Sequence, residues 1–267
     1  MKKVAVLLAG GVGSRLYPLS SEEKPKQFIN LISSQPILDD SIDRIKPIFS
    51  RESIFINSVD KYRDYLRNKP YERIMEPHRA GTTASVLYIT LFLMRKFGDC
   101  VITLLPADHY IGNHEKYLQA LEDAQTIAEN SGDVVLLGIQ PTKADTGYGY
   151  INHDNGKVIE FTEKPNEELA NKYVANDYVW NSGIFTFRAS VMYNLYKQKL
   201  DSFSCFYYSF SRGIMESFYR NTEIEPKSFE KAIIETANNV SVIPADFEWS
   251  DIGDWERYNH LLSEGVL

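Results

Sequence analysis

Short apolar runs rich in valine, isoleucine and leucine alternate with longer stretches in which apolar residues recur at helical spacing. The runs have the length of strands, and the intervening stretches are long enough for helices. The predicted strands are Lys3–Ala9, Ser53–Val59, Arg73–Glu76, Cys100–Pro106 and Asp133–Ile139. The predicted helices are Leu38–Ile45, Lys61–Arg67, Thr82–Lys96 and Glu115–Glu129. This alternation predicts a doubly wound α/β fold with helices on both faces of a parallel sheet.

The regular alternation of predicted strands and helices ends after Pro141. Shorter β-like segments, interrupted by a helix near Asn166–Ala175, are expected either to extend the sheet or to form a smaller lobe. These segments are Tyr148–Asn152, Val158–Thr162 and Ile184–Phe187. The chain then becomes mainly helical and rich in aromatic residues over Ala189–Ala237, and it closes with a strand at Val240–Pro244 and a helix that begins near Gly253.

The composition indicates a folded globular protein. Hydrophobic residues make up 43% and charged residues 24% of 267 residues, which argues against disorder, collagen-like repeats and coiled coils. A formal net charge of −7 lacks the basic footprint of nonspecific nucleic-acid binding, so no nucleic-acid partner is expected. The apolar run Val4–Ala9 is too short for a signal peptide or a membrane span, which predicts a cytoplasmic protein with no membrane partner. Cys100 and Cys205 are too isolated to suggest a disulfide framework or a zinc site, and we expect both to be buried free thiols.

A glycine-rich turn directly follows the first predicted strand, in the segment LLAGGVGSRLYP that begins at Leu7. Glycines let backbone amides approach a phosphate closely, and Arg15 can pair with phosphate oxygens in a forked geometry. The spacing fits neither the dinucleotide GxGxxG fingerprint nor a P-loop. Taken alone, the segment also fits a tight turn with a surface arginine.

Lys26 supplies a second cation in the segment KPKQF, shortly after this turn. Phosphoryl transfer is catalysed mainly by positioning and electrostatics, so a lysine beside the loop would neutralise charge on the transferred group. A surface lysine is the default interpretation of this position by itself. The combination of Lys26 with the glycine-rich turn favours a phosphate site.

Two aspartates are candidate ligands of Mg²⁺. Asp108 follows the strand Cys100–Pro106, and ligands of open α/β sheets bind at the carboxyl ends of the strands. Asp251, in FEWSDIGDW, would supply a second carboxylate if its loop returns to the same edge. The structural alternatives are a turn cap at Asp108 and a helix cap at Ser250 or Asp251. His109 is expected to pack or hydrogen-bond rather than to act as an acid or base.

Three further segments, TGYGYI, FTEKP and WNSGIF, combine glycines with polar side chains that suit a sugar. Gly149 would permit close approach, and Glu163 and Asn181 can bond sugar hydroxyls. Lys164 can hold a sugar phosphate. Singly, these segments also fit a hairpin turn, an ion pair at a strand end or a bulged strand.

Taken in order, these motifs resemble the sugar nucleotidyltransferases, and specifically the mannose-1-phosphate guanylyltransferases. The matching segments are LLAGGVGSRLYPLS with PKQF, EPHRAGTT, LLPADHYI, TGYGYI, FTEKP, WNSGIF and PADFEWSDIGDW, from Leu7 to Trp255. The resemblance implies an α/β fold with a Rossmann-like, mixed, mostly parallel sheet flanked by helices. It implies one catalytic domain over residues 1–267, with a nucleotide-binding half at 1–140 and a sugar-phosphate-binding half at 141–267. Because the chain ends soon after Trp255, no C-terminal β-helix is expected.

The resemblance also implies roles for individual residues. Arg15 and Lys26 would act catalytically on the triphosphate, and Asp108 and Asp251 would hold Mg²⁺. The nucleotide would be bound by Leu8, Gly10, Gly11, Gly13, Ser14, Arg15, Gly81, Thr82 and Asp108. The sugar would be faced by Gly149, Glu163 and Asn181, and its phosphate by Lys164.

The reaction of the family is an in-line attack by the sugar phosphate on the α-phosphorus of GTP, with release of pyrophosphate. Cations and a metal suffice for this chemistry, and no nucleophilic side chain is needed. The resemblance to the mannose-1-phosphate guanylyltransferases implies GTP and mannose 1-phosphate as the favoured substrates. Other pairs, with heptose or glucose 1-phosphate or with another nucleoside triphosphate, use the same machinery. A catalytically silent relative that binds a nucleotide sugar and regulates a partner is the alternative outside enzymes.

The chain departs from the family pattern at Arg79–Ala84, where the family has Arg-Asn-Thr-Ala-Pro-Ala beside the base. The resemblance therefore supports nucleotidyl transfer more strongly than guanine selectivity. Glu230 stands where the family commonly has an aspartate, which bears on sugar contacts. The aromatic segment Phe203–Tyr219 fits core packing or the surface of a homodimer, and core packing is the expectation.

Overall fold

The computed structural model describes residues 1–221 and 228–266. The strands within them are β1 (Lys2–Leu8), β2 (Ile54–Val59), β3 (Glu72–Glu76), β4 (Cys100–Pro106), β5 (Tyr110–Ile111), β6 (Val134–Ile139), β7 (Tyr150–Asp154), β8 (Lys157–Thr162), β9 (Val179–Arg188), β10 (Val240–Ala245) and β11 (Trp249–Ser250). The α-helices are α1 (Ile37–Ile45), α2 (Thr82–Phe97), α3 (His114–Ser131), α4 (Glu167–Val174), α5 (Ala189–Lys199), α6 (Phe203–Arg212), α7 (Met215–Asn221) and α8 (Trp255–Ser263). The five strands predicted before Pro141 are confirmed.

A single sheet of nine strands, in the order β3-β2-β1-β4-β9-β6-β10-β8-β7, runs through the described part of the chain. The pairs along β3-β2-β1-β4 are parallel, as is β6 with β10. The remaining pairs are antiparallel, including β9 with both β4 and β6. The prediction of a mixed sheet is confirmed. The expectation that it is mostly parallel holds for the first four strands and is wrong for most pairs beyond them, because strand direction depends on distant partners that local patterning does not record.

Strand β9 is longer than the predicted segment Ile184–Phe187. Polar residues interrupt the apolar pattern at its start, yet they are buried there because the sheet satisfies them. Ser182 Oγ donates to the carbonyl of Leu137 at 2.7 Å. The pairing of β9 with β6 shifts register near Gly138, so the interpretation of WNSGIF as a bulged strand is confirmed in part.

The helices before Pro141 agree with the prediction except at Lys61–Arg67, where a 3₁₀ helix spans Asp60–Leu66. In the second half, Asn166 caps α4 by accepting from the amide of Leu169. The cap of α8 is Asp254, whose side chain accepts from the amide of Arg257. The alternative that Ser250 or Asp251 caps this helix is therefore wrong, and Asp251 remains available for other contacts.

The helical prediction for Ala189–Ala237 is realised by α5, α6, α7 and a π-helical turn at Glu230–Ile234, while residues 222–227 of this prediction lie outside the described residues. Phe203, Phe206 and Phe218 are buried in the core. Core packing of this segment is thus confirmed for these side chains. Tyr207 and Tyr208 are exposed on the same segment, and a homodimer stays a prediction.

The core lies on both faces of the sheet, as alternation along β1 shows. Val4 and Val6 pack into the cluster that contains residues of α2 and α5. Ala5 and Leu7 point to the opposite face and pack with residues of α1 and α3. Successive strand side chains point to opposite faces, so an all-apolar strand requires helices on both sides.

A small antiparallel ribbon outside the main sheet holds the segment that precedes Asp251 against the segment that follows Asp108. Strands β5 and β11 pair so that Trp249 lies opposite Ile111 and Ser250 opposite Tyr110. The ribbon begins two residues after Asp108 and ends immediately before Asp251. It therefore returns the loop of Asp251 to the carboxyl edge of β4, as the magnesium hypothesis requires.

Within residues 1–221 and 228–266, no helix has both the length and the apolar character needed to cross a membrane. Both cysteines are free thiols. Cys100 is buried in β4, as expected. Cys205 is exposed on α6, so the expectation of a second buried thiol is wrong; the helical pattern did not specify which face of α6 is covered.

Candidate active site

The glycine-rich loop leaves the carboxyl end of β1 and enters a short 3₁₀ helix at Ser14–Leu16. Gly13 has φ +75°, and a Cβ at this position would lie 2.5 Å from Cβ of Lys26. Both the backbone conformation and the close approach therefore require glycine. Gly10 and Gly11 face open space, with nothing within 4 Å of a Cβ built on either. The space on the Cβ side of both glycines is thus open.

Gln27, which the sequence reasoning did not single out, holds this loop in place. It is buried, and its Nε2 donates to the carbonyls of Ala9 at 2.8 Å and Gly11 at 3.0 Å. Ser58 Oγ also donates to the Ala9 carbonyl at 2.8 Å. The only sequence signal for Gln27 was its place in the segment PKQF.

Lys26 connects both candidate metal ligands. Its side chain is 3% exposed, and its Nζ lies 3.0 Å from Oδ2 of Asp108. The same ammonium donates to the backbone carbonyl of Asp251. The default interpretation of Lys26 as a surface lysine is wrong, because the ammonium is directed inward onto the two aspartate segments.

The ionisation of Asp108 is favoured by its surroundings. Burial, the largest influence, opposes ionisation, but the Lys26 ammonium, the neighbouring His109 and a backbone amide together hold the pKa of Asp108 below its usual value. An ionised carboxylate is the form that accepts a metal ion. The ionised form of Asp108 is therefore favoured at neutral pH.

His109 forms a fixed hydrogen-bonded pair with Trp249. The indole Nε1 donates to His109 Nδ1 at 3.1 Å, and the rings meet edge to face. Burial lowers the pKa of His109 to about 4, against the opposing effect of Asp108 and Asp251. The imidazole is thus neutral at pH 7 and serves packing and hydrogen bonding, as the sequence predicted.

The Asp251 carboxylate is held on both oxygens. Oδ1 accepts from the hydroxyl of Tyr148 at 2.9 Å and from the amide of Gly253 at 3.0 Å. Oδ2 lies 3.2 Å from Nη1 of Arg257. No motif pointed to Arg257 or to this role of Tyr148. Residues from α8, the turn after β11 and the loop before β7 thus converge on one carboxylate.

A pocket of about 260 Å³ extends from the end of β1 to this carboxylate. Its wall includes seven of the predicted site residues. These are Leu8, Thr82, Gly149, Glu163, Lys164, Asn181 and Asp251. Residues predicted separately for the nucleotide, metal and sugar sides therefore meet around one space. Their individual roles remain predictions.

The predicted sugar-side residues contact one another. A Cβ on Gly149 would lie 2.7 Å from Oε2 of Glu163, so this glycine is required for close packing. The backbone amide of Asn181 donates to the carbonyl of Gly149 at 2.8 Å. Lys164 Nζ pairs with Glu163 Oε1 at 2.8 Å, and the lysine side chain is 57% exposed while that of the glutamate is 6% exposed. The pocket thus has a buried carboxylate and an exposed cation at its rim.

Two more glutamates support this end of the pocket. Glu235 Oε1 accepts from the backbone amide of Glu163 at 2.9 Å. Glu230 lines the pocket, and burial, followed by the nearby charge of Glu163, raises its pKa above the usual value. Beside Glu163, the pocket thus has another carboxyl group, that of Glu230, and the ionisation of Glu230 is disfavoured.

The remaining predicted residues lie around the glycine-rich loop. Arg15 is exposed and, in the part of the chain that the structure describes, has no ion-pair partner. Ser14 lines a separate cavity of about 440 Å³ rather than the central pocket. Gly81 has φ +87° immediately before α2. Arg79 ties this region to the loop, because its Nη2 donates to the carbonyl of Gly10 at 2.8 Å.

Taken together, the glycine-rich loop, the buried Lys26 and the two aspartates lie at the carboxyl edge of an α/β sheet beside one pocket, which is where ligands of such sheets bind. The family model described as Nucleotidyl transferase matches residues 4–264. The chain belongs to the nucleotidyl transferase family, whose members are enzymes. The family prediction made from the motifs is confirmed.

Individual relatives agree with this assignment. The mannose-1-phosphate guanylyltransferase of Salmonella muenchen is 34% identical over 281 residues, which cover 95% of this chain and 58% of that protein. The alginate biosynthesis protein AlgA of Pseudomonas putida is 32% identical, over 94% of this chain and 56% of that protein. A crystal structure described as mannose-1-phosphate geranyltransferase from Thermus thermophilus matches with a TM-score of 0.89 and 30% identity, over 98% of this chain and 80% of that chain. The chain spans less than two thirds of the length of these two curated relatives.

Proposed function

We propose that this chain transfers GMP from GTP to mannose 1-phosphate, giving GDP-mannose and pyrophosphate. The observation that carries the proposal is the single pocket that joins Leu8 and Thr82 to Glu163, Lys164 and Asn181. A nucleotide bound on the glycine-rich loop and a sugar phosphate bound at the far end would meet in this space. The names of the relatives favour guanosine and mannose over other pairs.

The reaction requires one bond to form and one to break. An oxygen of the sugar phosphate attacks the α-phosphorus of GTP, and the bond from that phosphorus to the bridging oxygen of the β-phosphate breaks. Pyrophosphate leaves with the bonding electrons. The attacking oxygen is already ionised, so no side chain has to remove a proton, and the neutral His109 is consistent with this.

Two cations of the chain would stabilise the transferred group. Arg15, exposed beside the loop, is free to form a forked contact with phosphate oxygens. Lys26 is already held by Asp108 and the carbonyl of Asp251, so its ammonium needs no rearrangement to act. Charge that is fixed in advance stabilises a transition state more effectively than charge that must reorganise.

Asp108 and Asp251 would hold Mg²⁺, and the donor set fits this ion. Both residues offer hard oxygen ligands, and the ionised state of Asp108 is favoured by Lys26. Within the described residues no three His, Cys, Asp or Glu side chains form a metal-binding cluster. Two carboxylates would therefore share the ion with phosphate oxygens and water, as Mg²⁺ sites commonly do. When bound, Mg²⁺ supplies neutralisation of phosphate charge.

The acceptor would bind at the opposite end of the pocket. Glu163 and Asn181 would bond sugar hydroxyls, and Gly149 would leave room for the ring. Lys164 would exchange its contact with Glu163 for the sugar phosphate, since its side chain is more than half exposed and free to turn. This exchange would also free the Glu163 carboxylate to accept from a hydroxyl.

Pyrophosphate release in the presence of Mg²⁺ tests the proposal, with each of the four ribonucleoside triphosphates against mannose, glucose and heptose 1-phosphates. Activity confined to GTP with mannose 1-phosphate supports the full proposal. Activity with another pair retains the mechanism and changes the substrates. Binding of nucleotide sugars without turnover across the panel would contradict the enzymatic proposal and favour a regulatory relative.

A further inference from the structure

Arg257, on the first turn of α8, forms ion pairs with three aspartates at once. Its Nη2 lies 2.7 Å from Oδ2 of Asp145, and its Nη1 lies 3.2 Å from Oδ2 of Asp251 and 3.4 Å from Oδ2 of Asp254. The guanidinium also lies over the ring of Tyr148, 4.2 Å from its centroid. The arginine side chain is 11% exposed. These contacts link α8, the turn after β11 and the loop 145–149.

The backbone around the guanidinium is shaped to admit it. A Cβ at Gly147 would lie 2.7 Å from Nη2 of Arg257, and a Cβ at Gly253 would lie 2.6 Å from Nη1. Neither glycine has a positive φ, so close approach rather than backbone conformation accounts for them. The loop that carries Gly149 and the turn that follows Asp251 are therefore packed against the same planar group.

The Asp251 carboxylate accepts hydrogen bonds from three groups of the protein. A carboxylate has about four lone-pair sites, so three of them are occupied. Tyr148 and Gly253 occupy two at Oδ1, and Arg257 occupies one at Oδ2. One direction remains on Oδ2, beside the arginine contact. The position of the guanidinium thus decides where the free lone pair of Asp251 points.

We infer that Arg257 is a positioning residue: it orients Asp251 toward the metal and couples this carboxylate to the sugar-side loop 145–149. The inference rests on the proposed function, since it assumes that Asp251 binds Mg²⁺. Arg257 touches neither the reacting phosphates nor the sugar in the proposed reaction. It acts through Asp251 and through Asp145, whose Oδ1 accepts from the backbone amide of Gly147 and so shapes the loop.

The alternative roles of Arg257 make different predictions. If only its positive charge matters, replacing it by lysine changes little, and removing the charge strengthens cation binding by the aspartates. If Arg257 only stabilises the fold, its replacement lowers the melting temperature and leaves cation binding unchanged. If it positions Asp251, the fork is essential, because a lysine ammonium cannot satisfy several carboxylates in the planar arrangement of a guanidinium.

The test compares Arg257→Lys and Arg257→Met with wild type, using Mn²⁺ in the presence of GTP as the probe. Binding of Mn²⁺ is measured by electron paramagnetic resonance, independently of turnover. We expect both variants to weaken Mn²⁺ binding about tenfold or more, as is typical when a group that orients a metal ligand is lost. The KM for the sugar phosphate should also rise in both variants, because loop 145–149 loses its contact with the guanidinium of Arg257.

Arg188→Lys is the matched control. Arg188 forms a similar fork with Asp99, with Nη2 at 2.6 Å from Oδ2, away from the pocket. We expect this variant to lower the melting temperature and to leave Mn²⁺ binding within about twofold of wild type. If Arg257→Met does not fold, Mn²⁺ binding by Arg257→Lys, which keeps the positive charge, still tests whether the guanidinium positions Asp251.

Two failures are distinguishable. A wild-type protein that neither binds Mn²⁺ with GTP nor releases pyrophosphate contradicts the proposed function. An active wild type whose Arg257→Lys variant binds Mn²⁺ normally, with only a lower melting temperature, overturns the positioning role alone. Tighter Mn²⁺ binding by Arg257→Met, with an unchanged lysine variant, overturns it in favour of a purely electrostatic role.

Discussion

The ammonium of Lys26 lies 3.0 Å from the carboxylate of Asp108, although the two residues come from separate segments of the chain. The lysine follows the glycine-rich loop, and the aspartate follows the central strand β4. Their ion pair is buried on the lysine side, and it places a positive charge where a phosphate would meet a metal ligand. The contact therefore joins the two halves of the proposed chemistry before any ligand binds.

Replacing Lys26 by alanine should lower kcat by about 100-fold or more, because loss of one preorganised group that stabilises transition-state charge costs this much in other enzymes. Initial rates of pyrophosphate release measure the effect. The matched control is Lys24→Ala, since Lys24 is exposed in the same segment. Equal activities of the two variants would contradict the role of Lys26.

Replacing Asp108 by alanine should abolish most turnover and leave the fold intact. The residue is only partly buried, and it lies at the end of β4 rather than within the core. We expect excess Mg²⁺ to restore little activity, because one of two proposed protein ligands is missing. Circular dichroism checks the fold, and a variant with near wild-type activity would refute the metal assignment.

Replacing Gly149 by alanine should raise the KM for the sugar phosphate about tenfold, because a misplaced contact group costs rates of this order or more. The new methyl group would approach Oε2 of Glu163 to 2.7 Å and Phe161 to 3.0 Å, so the glutamate must move. The KM for GTP is the internal control and should change by less than about twofold, since the nucleotide is proposed to bind at the other end of the pocket. Parallel changes in both constants would show that Gly149 does not act on the sugar side alone.

Replacing Gln27 by alanine should raise the KM for the nucleotide several-fold and destabilise the protein by about 1 kcal/mol, because the Gly11 carbonyl loses its donor from Gln27 and the Ala9 carbonyl keeps only that from Ser58. Gln27 holds the carbonyls of Ala9 and Gly11, so the glycine-rich loop should loosen. Urea unfolding and nucleotide titration measure the two effects. The control is Gln35→Ala, which removes a hydrogen-bonded glutamine outside the loop. It should change neither the KM for the nucleotide nor the free energy of unfolding appreciably.

Asp99 should make stability depend on pH. Burial opposes its ionisation, but hydrogen bonds from Arg188 and Ser190 dominate and hold the pKa of Asp99 below its usual value. A carboxyl whose pKa is lowered by folding stabilises the fold above its unfolded pKa, about 3.9, and loses this contribution as the pH falls through the folded pKa.

We therefore expect Asp99→Asn to lower the free energy of unfolding by about 1 kcal/mol at neutral pH. The difference from wild type should shrink below about pH 4 as Asp99 becomes protonated. Urea unfolding at several pH values measures it, with the exposed Asp201→Asn as control. A difference that stays constant down to the folded pKa would show that charge on Asp99 is not involved.

Local patterns were sufficient for much of the fold. The first five predicted strands and three of the four helices between them are in place, because strand and helix periods are recorded in adjacent residues. The same holds for the glycine-rich loop, where Gly13 is needed for its φ and for contact with Lys26. The pattern did not give the direction of the later strands or the full length of β9. Buried polar residues of β9 such as Ser182 find their hydrogen-bond partner on a neighbouring strand, which local sequence does not record.

The sequence by itself determined the types and order of the chemical groups: glycines after β1, cations at positions 15 and 26, and carboxylates at 108, 163 and 251. Only the tertiary structure decided which of them meet. Pairing of β5 with β11 brings Asp251 to the edge of β4, and Arg257 then fixes its carboxylate. Such contacts join residues far apart in the chain, and their geometry depends on the folding of everything between them, so no local motif encodes it.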